Sequence, residues 1–205
     1  MSYCQFPLLA AGLAQAGISC FRFDHAMAIN SESERKGPFL MGNHDDEVAD
    51  MHAAVQFMHS RGKRVTCLLG HSKGGINVVL YGARHGGDVP KLVNLSGRFR
   101  VRDGVLQRFG KDILDRLAAA GPDGIPRKES FGLEWVMTEK DFRERADLDM
   151  ESYARSISPS VRDSELCASL IPNSQLQLIE GADHNFRRLE HAQQLLDAVV
   201  AFVRS

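Results

Sequence analysis

The sequence has few of the features that mark several large classes of protein. It contains four cysteines in 205 residues and none in Cys-x-x-Cys spacing, which argues against a disulfide framework and against a zinc site of that type. Lys and Arg number 25 and Asp and Glu 26, so there is no basic excess to attract nucleic acid or an anionic membrane surface. No stretch approaches the length of a membrane-spanning apolar run, and no span is expected.

The first residues also lack a charged segment and a cleavage site of the secretory type, and the scattered cysteines fit a reducing compartment. A cytoplasmic location is therefore expected. What is present is an ordinary globular composition, 43% hydrophobic and 25% charged. The length fits a single domain over residues 1–205, and the sequence does not indicate the oligomeric state.

Short apolar runs alternate with segments of helical spacing along the chain. The predicted strands are Ile18–Phe23, Val65–Leu69, Lys91–Leu95 and Gln175–Ile179. The predicted helices are Phe6–Ala16, a helix capped by Asn43 that runs to about Ser60, Ile76–Arg84 and Leu189–Val203. Residues 101–157 are helical in pattern, lack clear strands and are predicted as a possible cap. The alternation predicts an α/β fold with a largely parallel sheet.

The stretch from Gly70 to Gly75, GHSKGG, stands between a predicted strand and a predicted helix. Gly-x-Ser-x-Gly in that context is typical of a nucleophile elbow, a tight turn that presents a serine hydroxyl. Glycine is needed where backbone segments approach closely in such a turn. The motif therefore favours Ser72 as a nucleophile over a surface serine in a glycine-rich turn.

A serine nucleophile needs a base, and the sequence offers His184 in the segment GADHNF, directly after a predicted strand. Its position far downstream of Ser72 matches the Ser, acid, His order of α/β-hydrolases. An imidazole there could take the hydroxyl proton and return it to a leaving group. The alternative is an ordinary loop histidine.

Together with the segments FRFD and NLSGR, these two motifs make the chain resemble the α/β-hydrolase superfamily over nearly its whole length. It is most similar to esterase/lipase-like, serine aminopeptidase-like hydrolases related to plant-type hydrolases and bacterial cinnamoyl (feruloyl) esterases. The resemblance implies a three-layer fold with a mostly parallel sheet, Ser72 as nucleophile and His184 as base. It also implies that the backbone N–H of Lys73 is an oxyanion donor, because one donor follows the nucleophile. No metal or organic cofactor is implied.

Two elements of that family have no counterpart in the sequence. A His-Gly pair, after which the second oxyanion donor lies, does not precede the Ile18 strand, and the strand that bears the triad acid looks excised near residue 160. We therefore expect an α/β-hydrolase fold truncated at its N-terminus and lacking that strand. Asp163 is the nearest carboxylate in chain order and the candidate acid, with N-capping of a helix as its alternative role.

The function expected from these residues is a serine hydrolase that cleaves carboxylic esters or related small-molecule acyl compounds. The alternative is a catalytically impaired hydrolase-like protein, either a ligand-binding pseudoenzyme or a truncated product of splicing or of a gene model. The missing acid and the missing second oxyanion donor are the features that separate the two hypotheses.

Two other groups allow more than one interpretation. His44, Asp45, Asp46 and Glu47, followed by Asp50 and His52, look like a metal cluster, but a capped helix start explains them better because no His-Glu-x-x-His spacing is present. Trp135, the only tryptophan, either packs in the predicted cap or lines an acyl pocket.

Overall fold

Two parallel strands and the helices that cover them organise this computed structural model, which describes residues 6–25, 39–128, 134–156, 170–171 and 174–205. The strands are β1 (Cys67–His71), β2 (Lys91–Leu95), β3 (Ile125–Lys128) and β4 (Glu134–Met137). The helices are α1 (Phe6–Gln15), α2 (His44–Ser60), α3 (Lys73–Arg84), α4 (Val101–Phe109), α5 (Ile113–Ala120), α6 (Glu139–Ala146), α7 (Met150–Ser156) and α8 (Leu189–Arg204). None of the helices in these ranges is long and apolar enough to cross a membrane.

Strands β1 and β2 pair in parallel, with Cys67 opposite Lys91 and His71 opposite Leu95. Helix α3 connects them, as a parallel pair requires a crossover. The prediction of parallel strands in these two segments is confirmed, and the bounds of β2 agree with the predicted ones. Strand β1 begins and ends two residues later than predicted, and α3 begins at Lys73 rather than Ile76.

The two faces of this strand pair are covered by different helices. Leu68 and its partner Leu92 pack into the core cluster that α2 and α3 supply, while Leu69 and its partner Val93 pack on α1 and α8. Side chains alternate between the faces of a strand, so neighbouring leucines serve opposite layers. The result is the predicted order of helix layer, sheet and helix layer.

The helix predictions are confirmed at both ends of the chain. Helix α1 ends just before Gly17, whose φ of 76° suits glycine, and α8 ends within one residue of the predicted position. Helix α2 begins after Asn43 as expected, with Val48, Met51 and Val55 buried on one face. The Asn43 side chain, however, makes no capping hydrogen bond to the helix.

Two strand predictions are wrong. Residues 18–23 and 175–179 are not paired as strands within the described ranges, and Phe21, Phe23 and Leu178 are 50%, 40% and 66% exposed. Alternating apolar residues satisfy the local preference for a strand, but the element forms only where a neighbour completes the hydrogen-bond ladder.

The expectation that residues 101–157 lack strands is also wrong. In the described part of this range, four α-helices accompany an antiparallel pair, in which Ile125 lies opposite Met137 and Arg127 opposite Trp135. Trp135 is buried and meets Phe39 edge to face at 5.6 Å, so the structure agrees with the packing interpretation of this side chain. The predicted loss of a strand near residue 160 falls on residues 157–169, outside the described ones.

The turn from β1 into α3 depends on two glycines. A Cβ atom at Gly70 would overlap the carbonyl group of Gly74, and one at Gly75 would overlap the side chain of Asn94. At Gly74 a Cβ atom would meet nothing within 4 Å. Of the three glycines in the turn, Gly70 and Gly75 are therefore required by packing and Gly74 is not.

This difference predicts opposite effects of two alanine substitutions. Gly70→Ala should lower the free energy of unfolding by about 1–3 kcal/mol, because the backbone must move to admit the methyl group. Gly74→Ala, the matched control in the first turn of α3, should raise it by about 0.5–1 kcal/mol through helix propensity. Urea unfolding of both variants checks the prediction, and equal effects would contradict it.

Candidate active site

Ser72 lies between β1 and α3 in a backbone conformation that a serine rarely adopts, with φ 58° and ψ −114°. Such a residue stores about 1–3 kcal/mol of strain and persists only where its surroundings fix it. Its N–H donates to the carbonyl of Leu95 at the end of β2, with an N···O distance of 2.8 Å. The two strands therefore hold the turn from both sides, in the geometry expected of an elbow.

His184 reaches this turn from the loop before α8. Its Nε2 is 3.0 Å from the Oγ of Ser72. A neutral imidazole with its proton on Nδ1 accepts the serine hydroxyl proton at Nε2, which is the relation between a nucleophile and its base. The structure thus brings together two predicted site residues that lie 112 positions apart.

A second histidine fixes the loop that carries His184. The Nε2–H of His71 donates to the backbone carbonyl of His184 at 2.7 Å, and the two rings lie 4.8 Å apart. Asp183 steadies the same loop, because its Oδ1 accepts from the backbone N–H groups of Asn185 and Arg187 at 3.1 and 3.0 Å. Sequence reasoning missed this role of His71, although the residue stands inside the elbow motif.

The environment of His184 keeps its imidazole neutral. Partial burial lowers the pKa of His184 below its ordinary value, and the neighbouring His71 and Arg98 lower the pKa further. Near neutral pH the imidazole therefore has a lone pair free to accept a proton. This is the protonation state that a general base needs.

The carboxylates of the described residues do not complete a triad. None of them hydrogen-bonds to Nδ1 of His184 within the ranges given above, and Asp183 is occupied by its own loop and by an ion pair with Arg187 at 3.3 Å. Asp163, the predicted acid, lies outside the described residues. Its role stays a prediction.

Lys73 contributes its backbone and its side chain to different places. Its N–H belongs to the first turn of α3, where amide groups have no acceptor inside the helix. Its ammonium group turns towards the start of α2. It donates to the carbonyl of Leu40 at 3.0 Å and to Asn43 Oδ1, both before the helix, and to Glu47 Oε1 in its first turn at 2.8 Å. Asn43 therefore binds this cation instead of capping its own helix.

Comparison with known proteins assigns this chain to a family. The profile described as serine aminopeptidase, S33, matches residues 2–185, which is most of the chain. The chain belongs to the serine aminopeptidase family. The predicted resemblance is thereby confirmed, and the family is one of hydrolases. No curated protein matches the chain by sequence.

Solved structures agree with this serine aminopeptidase assignment at the level of the fold. Est1E from Butyrivibrio proteoclasticus with ferulic acid bound superposes with a TM-score of 0.75 at 16% identity, covering 98% of this chain and 82% of that one. Proline iminopeptidase of Mycobacterium smegmatis gives 0.63 at 16% identity, with 96% and 83% covered. E-2-(acetamidomethylene)succinate hydrolase gives 0.53 at 15% identity, with 88% and 78% covered. The α/β-hydrolase fold is therefore shown.

Behind the elbow, this serine aminopeptidase relative has a buried polar network that sequence reasoning missed. Glu47, which also holds Lys73, accepts from Nδ2 of Asn77 at 2.6 Å. That contact orients the amide so that its Oδ1 faces Nδ1 of His44, also at 2.6 Å, and His44 must donate there. The Nε2 of His44 then accepts from Arg145 at 3.3 Å. His44 and Glu47 begin α2, as the sequence predicts, and they also tie this helix to α3 and α6.

The surroundings of His44 oppose its protonation. Burial, together with the cations Lys73 and Arg145, lowers the pKa of His44 from 6.5 to about 3. The side chain is 1% exposed, so water screens these charges little. His44 therefore stays neutral in the folded protein over a pH range in which the unfolded chain binds a proton there.

This protonation difference predicts a pH-dependent stability. As pH falls from 6.5 towards 3, the unfolded chain takes up the proton first, and the free energy of unfolding should fall by up to about 1.4 kcal/mol per pH unit from His44 alone. His44→Gln removes the titrating group and should flatten the dependence in that range. Urea unfolding between pH 7 and pH 4 measures the slope. His59→Gln, at the exposed end of the same helix, is the control, and equal slopes in the two variants would contradict the prediction.

Proposed function

We propose that this protein is a serine hydrolase that cleaves carboxylic esters or related acyl compounds. The observation that supports the proposal best is the 3.0 Å contact between Oγ of Ser72 and Nε2 of His184 at a strained strand-to-helix turn. Membership of a hydrolase family agrees with it. Two proteins of similar fold also agree with it. Est1E binds ferulic acid, an aromatic carboxylic acid, and the other is a proline iminopeptidase.

In the proposed reaction, Ser72 Oγ attacks the carbonyl carbon while its proton passes to Nε2 of His184. The negative charge on the carbonyl oxygen is stabilised by the backbone N–H of Lys73 in the first turn of α3. When the tetrahedral intermediate collapses, His184 returns the proton to the leaving alcohol or amine. Water then repeats the sequence on the acyl-enzyme, with His184 again as base.

The lowered pKa of His184 supports this assignment of roles, because a neutral imidazole accepts the serine proton without first losing one of its own. The hydrogen bond from His71 to the carbonyl of His184 keeps the base within reach of the hydroxyl. In the proposed reaction, the first feature gives the base its protonation state and the second holds it in position.

The proposal predicts covalent labelling at one residue. A fluorophosphonate probe should form an adduct at Ser72, and Ser72→Ala should remove it. His184→Ala should slow the labelling by about 10²-fold or more, because the general base is lost. Mass spectrometry of the digested protein locates the adduct. Absence of an adduct on folded wild-type protein would contradict the proposal and favour the catalytically impaired alternative.

We also propose Asp163 as the acid that orients His184. Asp163→Asn should lower the turnover of an activated ester by about 10⁴-fold, the loss that follows in a well-studied triad when tautomer control is removed. The matched control is Asp183→Asn, which keeps an Oδ1 acceptor for the loop and should change turnover little. Comparable losses in both variants, or none in either, would contradict the assignment.

A further inference from the structure

Three potential metal ligands converge at the end of α3 that lies away from Ser72. One nitrogen of His52, one nitrogen of His85 and one carboxylate oxygen of Asp88 lie within 4.8 Å of one another. Helix α3 has 12 residues, so its rise places this cluster about 18 Å along the helix axis from the elbow. The cluster therefore takes no part in the Ser72–His184 arrangement.

Local backbone structure brings the three residues together. His85 follows the last residue of α3, and a turn closed by the N–H of Asp88 on the carbonyl of His85, 3.1 Å, returns Asp88 to the same side. His52 projects from the middle of α2, which packs on α3. The rings of His52 and His85 stack with centroids 4.2 Å apart and planes at 12°.

The polar atoms of this cluster are poorly satisfied. Nδ1 of His52 is buried and makes no hydrogen bond within the described part of the chain. It lies 3.7 Å from Oδ2 of Asp88, beyond hydrogen-bond distance. The same oxygen is 3.5 Å from the hydroxyl of Tyr81, a long contact. Leaving a buried donor or acceptor unpaired is unfavourable, and a bound ion would satisfy it.

We propose that His52, His85 and Asp88 bind a divalent transition-metal ion of the zinc class. Two imidazole nitrogens and one carboxylate oxygen are a ligand set that such ions accept, and three protein ligands leave a fourth tetrahedral position for water. Of the residues that looked like a metal cluster in the sequence, His52 alone belongs to this site. Its two partners come from the end of α3 and the turn beyond it.

Binding requires a modest rearrangement of the side chains. Ligand atoms of a tetrahedral ion with bonds of about 2.1 Å lie about 3.4 Å apart, closer than the 4.8 Å limit seen here. Stacked parallel rings also direct their lone pairs side by side, so at least one imidazole must rotate to face the ion. His85 lies just beyond the last residue of α3, outside the helix, and Asp88 is 40% exposed, so both side chains have room to adjust.

Asp88 supplies the carboxylate of the cluster, and the cationic side chain next to the cluster along the chain is paired elsewhere. The guanidinium of Arg84, the residue before His85, is held by Asp45 at 2.6 Å and lies over the ring of Tyr153.

Titration calorimetry with Zn²⁺ on chelator-treated protein tests the site. Wild-type protein should bind one ion per chain, and His52→Ala, His85→Ala and Asp88→Asn should each weaken binding at least tenfold. Because His71 and His184 form another histidine pair, His184→Ala is the control and should bind as the wild type does. Circular dichroism confirms that each variant is folded.

Co²⁺ in place of Zn²⁺ gives a second readout, since four-coordinate Co²⁺ with nitrogen ligands absorbs visible light. The absorption should appear with the wild type and with His184→Ala, and should be lost in His52→Ala. Failure of the wild type to bind either ion would overturn the proposal, as would binding that depends on His184 and not on His52. None of these readouts depends on esterase activity, so the metal site and the proposed hydrolase function can fail separately.

Discussion

The backbone of Ser72, with its φ of 58°, is the constraint around which the rest of the structure is arranged. A chain reaches this conformation only if its neighbours leave room, which is why Gly70 and Gly75 are packed against backbone and side chain. The hydrogen bond from Ser72 to Leu95 fixes the turn to the neighbouring strand. The strain of about 1–3 kcal/mol is thus balanced by contacts that also set the direction of α3 and the position of the serine hydroxyl.

The buried network behind the turn holds the helices in register. Burial alone would make the Lys73–Glu47 ion pair destabilising, since the cost of removing two charges from water can exceed their attraction. Here Asn43, Asn77 and the Leu40 carbonyl satisfy the remaining donors and acceptors, so the pair is hydrogen-bonded on both sides. Apolar side chains could slide past one another between α2 and α3, whereas these directional bonds allow one alignment. That alignment begins at Lys73, the residue next to Ser72.

The sequence predicts what is local and misses what depends on distant partners. The apolar runs of β1 and β2, the spacing of α2 and the glycines at the turn are visible in a few consecutive residues. Segments 18–23 and 175–179 have apolar residues in a pattern that also favours strands. They lack a paired neighbour in the described structure, so the strand prediction fails there. Strands β3 and β4 have four residues each and are mixed in polarity. They are too short for a repeating pattern of apolar residues to predict them.

The candidate site divides in the same way. Ser72 and His184 could be named because each stands in a recognisable motif and in the expected order. His44 and Arg145 lie 101 positions apart, and no local sequence pattern predicts the hydrogen bond between them. Lys73 likewise places its backbone N–H in the first turn of α3 and its ammonium group against α2. The sequence does not reveal the second contact, because it depends on how α2 packs against α3.

The direction of α3 has a consequence for charge that extends over its whole length. Its aligned peptide dipoles place about half a positive charge at the N-terminus, where Ser72 stands, and about half a negative charge at the C-terminus, beside His85. The first end favours the anion that forms when a carbonyl is attacked, and the second favours a bound cation. The two ends of this one helix thus have opposite electrostatic preferences, which its peptide groups supply without any charged side chain.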